Sequence, residues 1–488
     1  MLPFESKPRA GVDRAVFFLL AAIFVVIRLW NIATFCLDSD EVFSLTCAQA
    51  SWTVLFQKAA FDLVHPPLFY ILLKLWIGIG GDSLVWVRLL PALCSCLALV
   101  PFYFLSRGLR LSEWQTNFAL ALLCLNPDQV FHSQYLRMYS LLFFLSLCSY
   151  WAFALRRNLW LLGAINVLLV YTHYYGCAVI ASEGLCVLWI ERKRLFAFLV
   201  CCGGVFAAFV PWLLFASHFA VMRGGLKENL GWIRRPNLGD LFTFYINLTT
   251  PHQSLYVSAV FLLLAALCVV LSLFIAVHRW LNTFLLIAAI LPPVASFAIS
   301  QFFPQSVWGT RHLVIAIVPF YLLIANAFSV IPVQKLRPIT VALVTAWIAL
   351  SLPQLIHPRP RINYEVLAQM MISREPGLER VQLLIPDRFL KFPLAYQLDR
   401  HDPGRWDART ITSLDSGLLN GHFWVAYHRD RWKGAKSPAQ LLRDRGYRIG
   451  PGIWVSDDWH RVIALPVWTP GSEMAASGKL IPASIRRP

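Results

Sequence analysis

Asp40 and Glu41 stand side by side in the run Leu37-Asp38-Ser39-Asp40-Glu41, directly after an apolar stretch, 15–35, long enough to cross a bilayer. Carboxylates set at a membrane surface can take a proton from a hydroxyl, or hold a divalent cation such as Mg or Mn where a reaction uses one. The same residues fit a structural role. Asp38 followed three positions later by Glu41 is the spacing of a capping box, and acidic groups are stabilising at a helix N-terminus, here a helix from Val42. Asp38 suits the cap and Asp40 the chemistry.

The cationic candidates are scattered. Arg137 follows a short apolar segment at Asn126-Pro127, on a connection that must dip toward the membrane, and a guanidinium can grip phosphate oxygens through two donors while staying charged. Arg311 and His312 form a second basic site just before a late apolar segment. Either arginine could instead snorkel to lipid headgroups or anchor the orientation of a span. Tyr139, His173, Tyr174 and Tyr175 gather at the same expected side, where rings with polar tips can line a substrate pocket or form an interfacial aromatic belt; the belt role suits Tyr175 best. His65, before Pro66-Pro67, contacts a substrate or simply ends a turn. Glu183, inside an apolar segment, is expected to be hydrogen-bonded in the interior. Between 218 and 255, Arg223, Lys227, Arg234 and Arg235 flank Gly224-Gly225, which suits either a lid over an anionic substrate or a plain flexible loop.

These residues need a scaffold, and the composition says which kind. With 58% hydrophobic residues and 14% charged, the chain reads as a polytopic α-helical membrane protein. Eleven crossings are expected at 15–35, 85–106, 116–131, 138–155, 159–175, 176–190, 195–217, 256–277, 281–300, 313–330 and 338–356. The first lacks a small-x-small cleavage site and reads as an uncleaved helix. Residues 1–356 thus form a transmembrane domain. The formal net charge of +17 does not point to nucleic acid, because the basic residues punctuate apolar segments and form no stripe. With a cytoplasmic N-terminus, Arg107 to Arg110, Arg156-Arg157, Arg192 to Arg194, His278-Arg279 and Lys335 to Arg337 fall on alternate, cytoplasmic connections. The first external loop, 36–84, is long. Its segments 42–60 and 66–79 are expected as helices lying in the interface.

From 357 to 488 the sequence turns rich in Arg, Asp, Gly and Pro, and a small extracytoplasmic α/β domain is expected there, with strands at 381–385 and 422–427, a helix near 438–445 and a hairpin at 453–465 turning at Asp457-Asp458. Its 20 Lys and Arg against 13 Asp and Glu suit an acidic partner as well as a solvated surface. All 11 cysteines precede residue 269 without zinc or disulfide spacing, so they read as small core residues. A Walker A loop and a GxGxxG fingerprint are both lacking, which argues against ATP-driven or dinucleotide chemistry.

In order along the chain, Asp40-Glu41, then His65-Pro66-Pro67-Leu68-Phe69-Tyr70, His132 through Ser140, and Thr172-His173-Tyr174-Tyr175-Gly176 resemble bacterial relatives of the dolichyl-phosphate-mannose protein mannosyltransferases, glycosyltransferase family 39. These belong to the glycosyltransferase C superfamily, which also includes the aminoarabinose transferase that modifies lipid A. Arg311-His312-Leu313 resembles the Arg-Tyr-Leu element found there, with His in place of Tyr. The resemblance covers about residues 14–356. It implies an inverting hexosyl or pentosyl transfer from a polyprenyl-phosphate-linked sugar to a glycan, lipid or protein acceptor, on the outer side of a bacterial inner membrane. It also implies Asp40 as base, Glu41 as an orienting neighbour or cation ligand, and Arg137, Tyr139, Arg311, His312, His65, His173 and Tyr174 around the donor. Sugar transfer without a nucleotide needs a base, a partner for the departing lipid phosphate and a groove for isoprenoid tails. A flippase of lipid-linked sugars would share the basic sites but need no base, and a non-catalytic relative would keep the fold alone.

Overall fold

The computed structural model describes residues 10–155, 158–222, 230–231, 233–249, 255–274, 279–327, 333–356, 361–377, 379–411, 421–432, 434–457 and 460–469. Arg156, Arg157, Arg223, Gly224, Gly225, Lys227, His278 and Asp458 lie outside them. The chain divides into two compact units, one of Met1–Ile32 with Cys47–His357, the other of Ala33–Thr46 with Pro358–Pro488.

The first unit is all helical. Five helices, Leu84–Gly108, Arg192–Phe219, Tyr256–Leu273, Arg279–Phe302 and Thr310–Ala327, are long and apolar enough to cross a membrane, and Leu68–Gly80, Tyr139–Ala154, Leu159–Thr172 and Gly176–Ile190 are shorter apolar helices. This is a multi-pass membrane protein. Three expected segments differ from their sequence reading, each through capping. The first helix, Ala10–Leu29, stops short of Phe35 because Asn31 takes a left-handed φ of 56°. The segment 42–60 is not one helix: Ser51 accepts a hydrogen bond from the Val54 N–H and starts a new helix, Trp52–Asp62, after Ser39–Gln49. The segment 116–131 is broken likewise, since Asn126 caps the short helix Pro127–Ser133 through the Gln129 N–H, ending Glu113–Leu125.

Buried polar groups tie the helices together. Arg28, fully buried, donates to Ser95 Oγ at 2.9 Å and lies 3.2 Å over the Phe24 ring, so an arginine inside an apolar helix is spent on packing. Glu183 accepts from Ser149 Oγ at 2.5 Å and from Asn166 Nδ2 at 3.1 Å, joining three helices in the bundle interior.

The second unit is α/β. Strands β1 (Val381–Ile385), β2 (Trp406–Thr410), β3 (His422–His428), β4 (Arg448–Ile449), β5 (Ile453–Ser456) and β6 (Arg461–Trp468) form one sheet in the order β2-β1-β3-β6-β4, with β5 also on β6. β1 is parallel to both neighbours, and the helix Arg388–His401 makes the crossover to β2; the rest is antiparallel. Alternation along the strands splits the core. Leu383, Ile385, Trp424 and Ala426 pack on one face with Leu390, Leu394 and Leu367, while Leu384, Phe423 and Val425 face Leu442 and Val467 on the other. The first of these cores also takes Cys36, so the connection after the first helix contributes to a fold otherwise built by the last 130 or so residues.

Candidate active site

Within the helical unit, four candidates meet that the sequence holds far apart. The imidazole rings of His65 and His173 lie 5.2 Å apart, those of His173 and His312 4.6 Å apart, and those of His65 and His312 6.4 Å apart. Arg137 reaches the His65 ring with Nη2, 3.1 Å from Nδ1 and 3.3 Å from Nε2, and turns Nη1 toward the Tyr70 hydroxyl at 3.5 Å. The rings of Tyr139 and Tyr175 approach His312 to 5.7 and 5.1 Å, and the Arg311 guanidinium stands 5.7 Å over Tyr139. His65, Arg137, His173 and His312 are all at most 5% exposed, and Tyr139 is fully buried.

Local chain geometry puts them there. Helix Trp52–Asp62 ends at Leu63, whose φ of 57° turns the chain so that His65 comes back under Asp62. Pro66-Pro67 then fixes the entry to Leu68–Gly80, which carries Tyr70. Arg137 sits in the tight turn between Pro127–Ser133 and Tyr139–Ala154, its N–H held by the Tyr135 carbonyl at 2.6 Å. His173 interrupts two helices in extended conformation, φ −161° and ψ 141°. Arg311 and His312 open the segment Thr310–Ala316, and the His312 ring lies so close to Gly309 that a Cβ there would stand 2.7 Å from Nδ1.

Hydrogen-bond partners decide the protonation of these rings. His65 Nδ1 lies 2.5 Å from Asp62 Oδ2, a group that only accepts, so Nδ1 carries the proton and Nε2 is left to accept from Arg137. Burial lowers the His65 pKa; Asp62 opposes this and Arg137 adds to it, with a net shift downward. His173 Nδ1 accepts from the Tyr175 N–H at 3.1 Å, so the neutral ring presents Nε2–H, which has no partner among the described residues. Both His312 nitrogens are buried without a partner among the described residues. One nitrogen from each of the three rings lies within 4.8 Å of the others, a spacing that could hold a metal ion. The donor set argues otherwise: His173 offers a proton and His65 Nε2 is committed to Arg137. The cluster is built to donate, and what it suits is an anion.

Tyr174 is not part of it. Its hydroxyl accepts from Trp212 Nε1 at 3.2 Å and its ring packs on Phe209, whereas its neighbour Tyr175, which the sequence assigned to an aromatic belt, hydrogen-bonds Val307 O and Ser296 Oγ beside His312. Sequence reading also missed Asp62 and Tyr70. An acidic residue three positions before a histidine at a helix end was the available signal for Asp62.

Asp40 and Glu41 lie in the second unit, on the first turn of Ser39–Gln49. Asp38 Oδ1 accepts from the N–H groups of Asp40 and Glu41 at 3.0 and 3.1 Å, and Glu41 Oε2 accepts from the Asp38 N–H at 3.2 Å, closing a reciprocal cap. Burial, and then the Glu41 and Asp40 carboxylates, push the Asp38 carboxyl up to about 6. Glu41 is fully buried with Arg361 Nη1 3.5 Å from Oε2; Asp40 is half-buried.

No protein-family model matches the chain, and no curated protein matches it. Among solved structures, ArnT from Cupriavidus metallidurans bound to undecaprenyl phosphate superposes with a TM-score of 0.56 at 13% identity, over 92% of this chain and 97% of that one. The chain has the fold of that aminoarabinose transferase. The apo ArnT structure matches at a TM-score of 0.41 and 13% identity over 93% of this chain and 98% of its own. The Saccharomyces cerevisiae protein O-mannosyltransferase Pmt1-Pmt2 complex bound to the sugar donor matches at 0.31 and 15% over 45% of this chain and 32% of its own. ArnT is a member of the glycosyltransferase C superfamily.

Proposed function

We propose that this protein transfers a sugar from a polyprenyl-phosphate carrier to an acceptor hydroxyl at the outer face of a bacterial inner membrane. The observation that carries this reading is the buried meeting of Arg137, His65, His173, His312 and Tyr139, with half-buried Arg311 over the Tyr139 ring, a cationic cluster that suits a lipid phosphate. The ArnT-like fold supports it, because that structure holds undecaprenyl phosphate. We place the N-terminus in the cytoplasm, with eleven crossings and the C-terminal α/β domain, residues 357–488, outside.

In this mechanism Asp40 accepts the proton of the acceptor hydroxyl as the acceptor oxygen bonds to the anomeric carbon. The bond from that carbon to the phosphate oxygen breaks on the opposite face, giving inversion, and its electron pair leaves with the polyprenyl phosphate. Arg137 and Arg311 stabilise the charge that gathers there, His173 Nε2–H adds a donor, and Asp62 and Tyr70 keep His65 and Arg137 aimed. Glu41 orients the turn. A divalent cation, Mg or Mn, would take Asp40, but Glu41 Oε2 is already engaged by Arg361 and the Asp38 N–H.

Asp40→Asn tests the reading. Membranes carrying this variant should bind labelled polyprenyl-phosphate sugar and fail to transfer it. A variant that still transfers would overturn the base assignment, and wild-type protein that moves the intact lipid-linked sugar across vesicles without transfer would make it a flippase. Mass spectrometry of envelope glycoconjugates from cells with and without the gene would identify sugar and acceptor.

A further inference from the structure

The turn that bears Asp40 carries three acidic side chains in four positions, Asp38, Asp40 and Glu41, and like charges so close oppose one another. Within the α/β unit Arg361 reaches this turn from 320 positions away. Arg361 Nη1 lies 3.5 Å from Glu41 Oε2, and its guanidinium stands 5.4 Å over the Phe35 ring. Beside it, the Cys36 thiol lies 3.5 Å from the Ile362 carbonyl, and Cys36 is buried in the same core as Leu367, Leu383 and Trp424. The segment before the turn is therefore clamped, and the turn itself is locked by the reciprocal Asp38–Glu41 cap and by Ser44 Oγ, which donates to the Asp40 carbonyl at 3.1 Å.

We propose that Arg361 is a positioning residue for the transfer reaction: by holding the buried Glu41 carboxylate it fixes the Asp38–Glu41 turn and with it the direction of Asp40. This rests on Asp40 being the base, and it assigns to the C-terminal domain a part in catalysis. The chain of contacts is short. Arg361 holds Glu41 Oε2, the same oxygen accepts from the Asp38 N–H, and Asp38 in turn caps the N–H groups of Asp40 and Glu41. Without the guanidinium, a carboxylate with no exposed surface loses a compensating charge and swings out, releasing the Asp38 N–H. Asp40 then keeps its chemistry and loses its aim. Small misplacements of a reacting group are expensive, on the order of 100-fold in rate for about 1 Å.

The experiment uses the full-length protein in detergent or vesicles. Arg361→Ala should lower kcat by about 10- to 100-fold while the KM for polyprenyl-phosphate sugar stays within about twofold, because the donor contacts lie in the other unit. Arg361→Lys should restore part of the rate. Hydrogen exchange should speed up at the amides of 38–44 in Arg361→Ala and stay unchanged in β1 and β3. Glu41→Gln, Arg361→Met and the double variant form a cycle, in which the double variant should be no slower than the slower single one. Additive losses, or Arg361→Ala with unchanged kcat and exchange alongside an inactive Asp40→Asn, would overturn the proposal. An active Asp40→Asn would instead overturn the base assignment on which it rests. Should Arg361→Ala fail to accumulate, the Lys variant and the cycle decide the question.

Discussion

Replacing Arg137 is the sharpest probe of the histidine cluster. Arg137 is 3% exposed and spreads its two terminal nitrogens in different directions, Nη2 to His65 at 3.3 Å from Nε2 and Nη1 to the Tyr70 hydroxyl at 3.5 Å. A preorganised charged donor aimed at developing negative charge is worth about 2.7–4 kcal/mol, so Arg137→Ala should lower kcat by roughly 100- to 1,000-fold. The Coulomb scale agrees: two unit charges about 4 Å apart interact by about 4 kcal/mol at an effective dielectric of about 20. Arg137→Lys keeps the charge, but one ammonium cannot serve both His65 and Tyr70 from a single position, so about a tenth of the wild-type rate, or 1.4 kcal/mol, should survive. The assay is release of polyprenyl phosphate from a labelled lipid-linked sugar by purified protein in vesicles, with donor binding measured separately. Arg137→Ala within about threefold of wild type would refute the assignment of this cluster to the leaving phosphate, since no donor worth less than about 1 kcal/mol could be its principal partner.

Gly309→Ala should behave as a milder version of the same injury: its Cβ would stand 2.7 Å from His312 Nδ1, the ring must move, and the KM for donor should rise several-fold with the helical fold retained by circular dichroism. Chelation with EDTA should leave activity within about twofold, because Glu41 Oε2 is engaged by Arg361 and the Asp38 N–H; loss restored by Mn would place a cation on Asp40 after all. Glu375 links pH to the stability of the sheet. Burial raises its pKa, but hydrogen bonds from His422 at 2.5 Å and Trp424 Nε1 at 2.8 Å outweigh that, so the folded pKa lies below its ordinary value. A depressed carboxylate contributes stability that is present above its unfolded pKa of about 4.3 and lost as pH falls through the folded one. Glu375→Gln should therefore weaken protease resistance of the C-terminal domain at pH 7 and narrow the gap to wild type at pH 3; an unchanged gap would refute it.

The sequence made the long helices legible because length and apolarity are local properties. Segments 85–106, 195–217 and 281–300 reappear within a few residues of Leu84–Gly108, Arg192–Phe219 and Arg279–Phe302, and β1 was read at its own bounds. Breaks were harder, since Ser51 and Asn126 cut apolar runs by donating nothing to hydropathy while capping a backbone N–H. For the site, each of His65, Arg137, His173 and His312 could be picked out alone, but their meeting depends on helix packing over separations of 36 to 247 residues. Tyr174 and Tyr175 show the limit well. They are adjacent on one turn with the same chemistry, and only the placement of Trp212 and His312 decides that the first packs outward on a helix and the second joins the cluster. Nothing local marks Arg361 as the partner of Glu41, or Cys36 as part of a sheet's core.

The charge balance of the cluster bears on why the histidines are there. An arginine buried among apolar helices, as Arg137 is beside half-buried Arg311, is costly unless something answers its charge, and a fixed carboxylate would answer it permanently. The carboxylate beside His65, Asp62, is engaged by His65 Nδ1. Neutral imidazoles offer a different solution, because a ring can accept from an arginine on one nitrogen, as His65 does, or present an N–H, as His173 does, without adding a net charge in either case. A site made this way keeps most of its positive potential for a guest. Under the proposed function that guest is the lipid phosphate, whose charge grows as the sugar departs, so the attraction strengthens along the reaction and favours the transition state over the bound donor. Converting His173 to Asp would supply a resident anion where Nε2–H now points. Donor binding and kcat should then both fall, and more steeply than in His173→Asn, which keeps an uncharged donor at that place. Equal losses in the two variants would mean that the histidine serves packing alone.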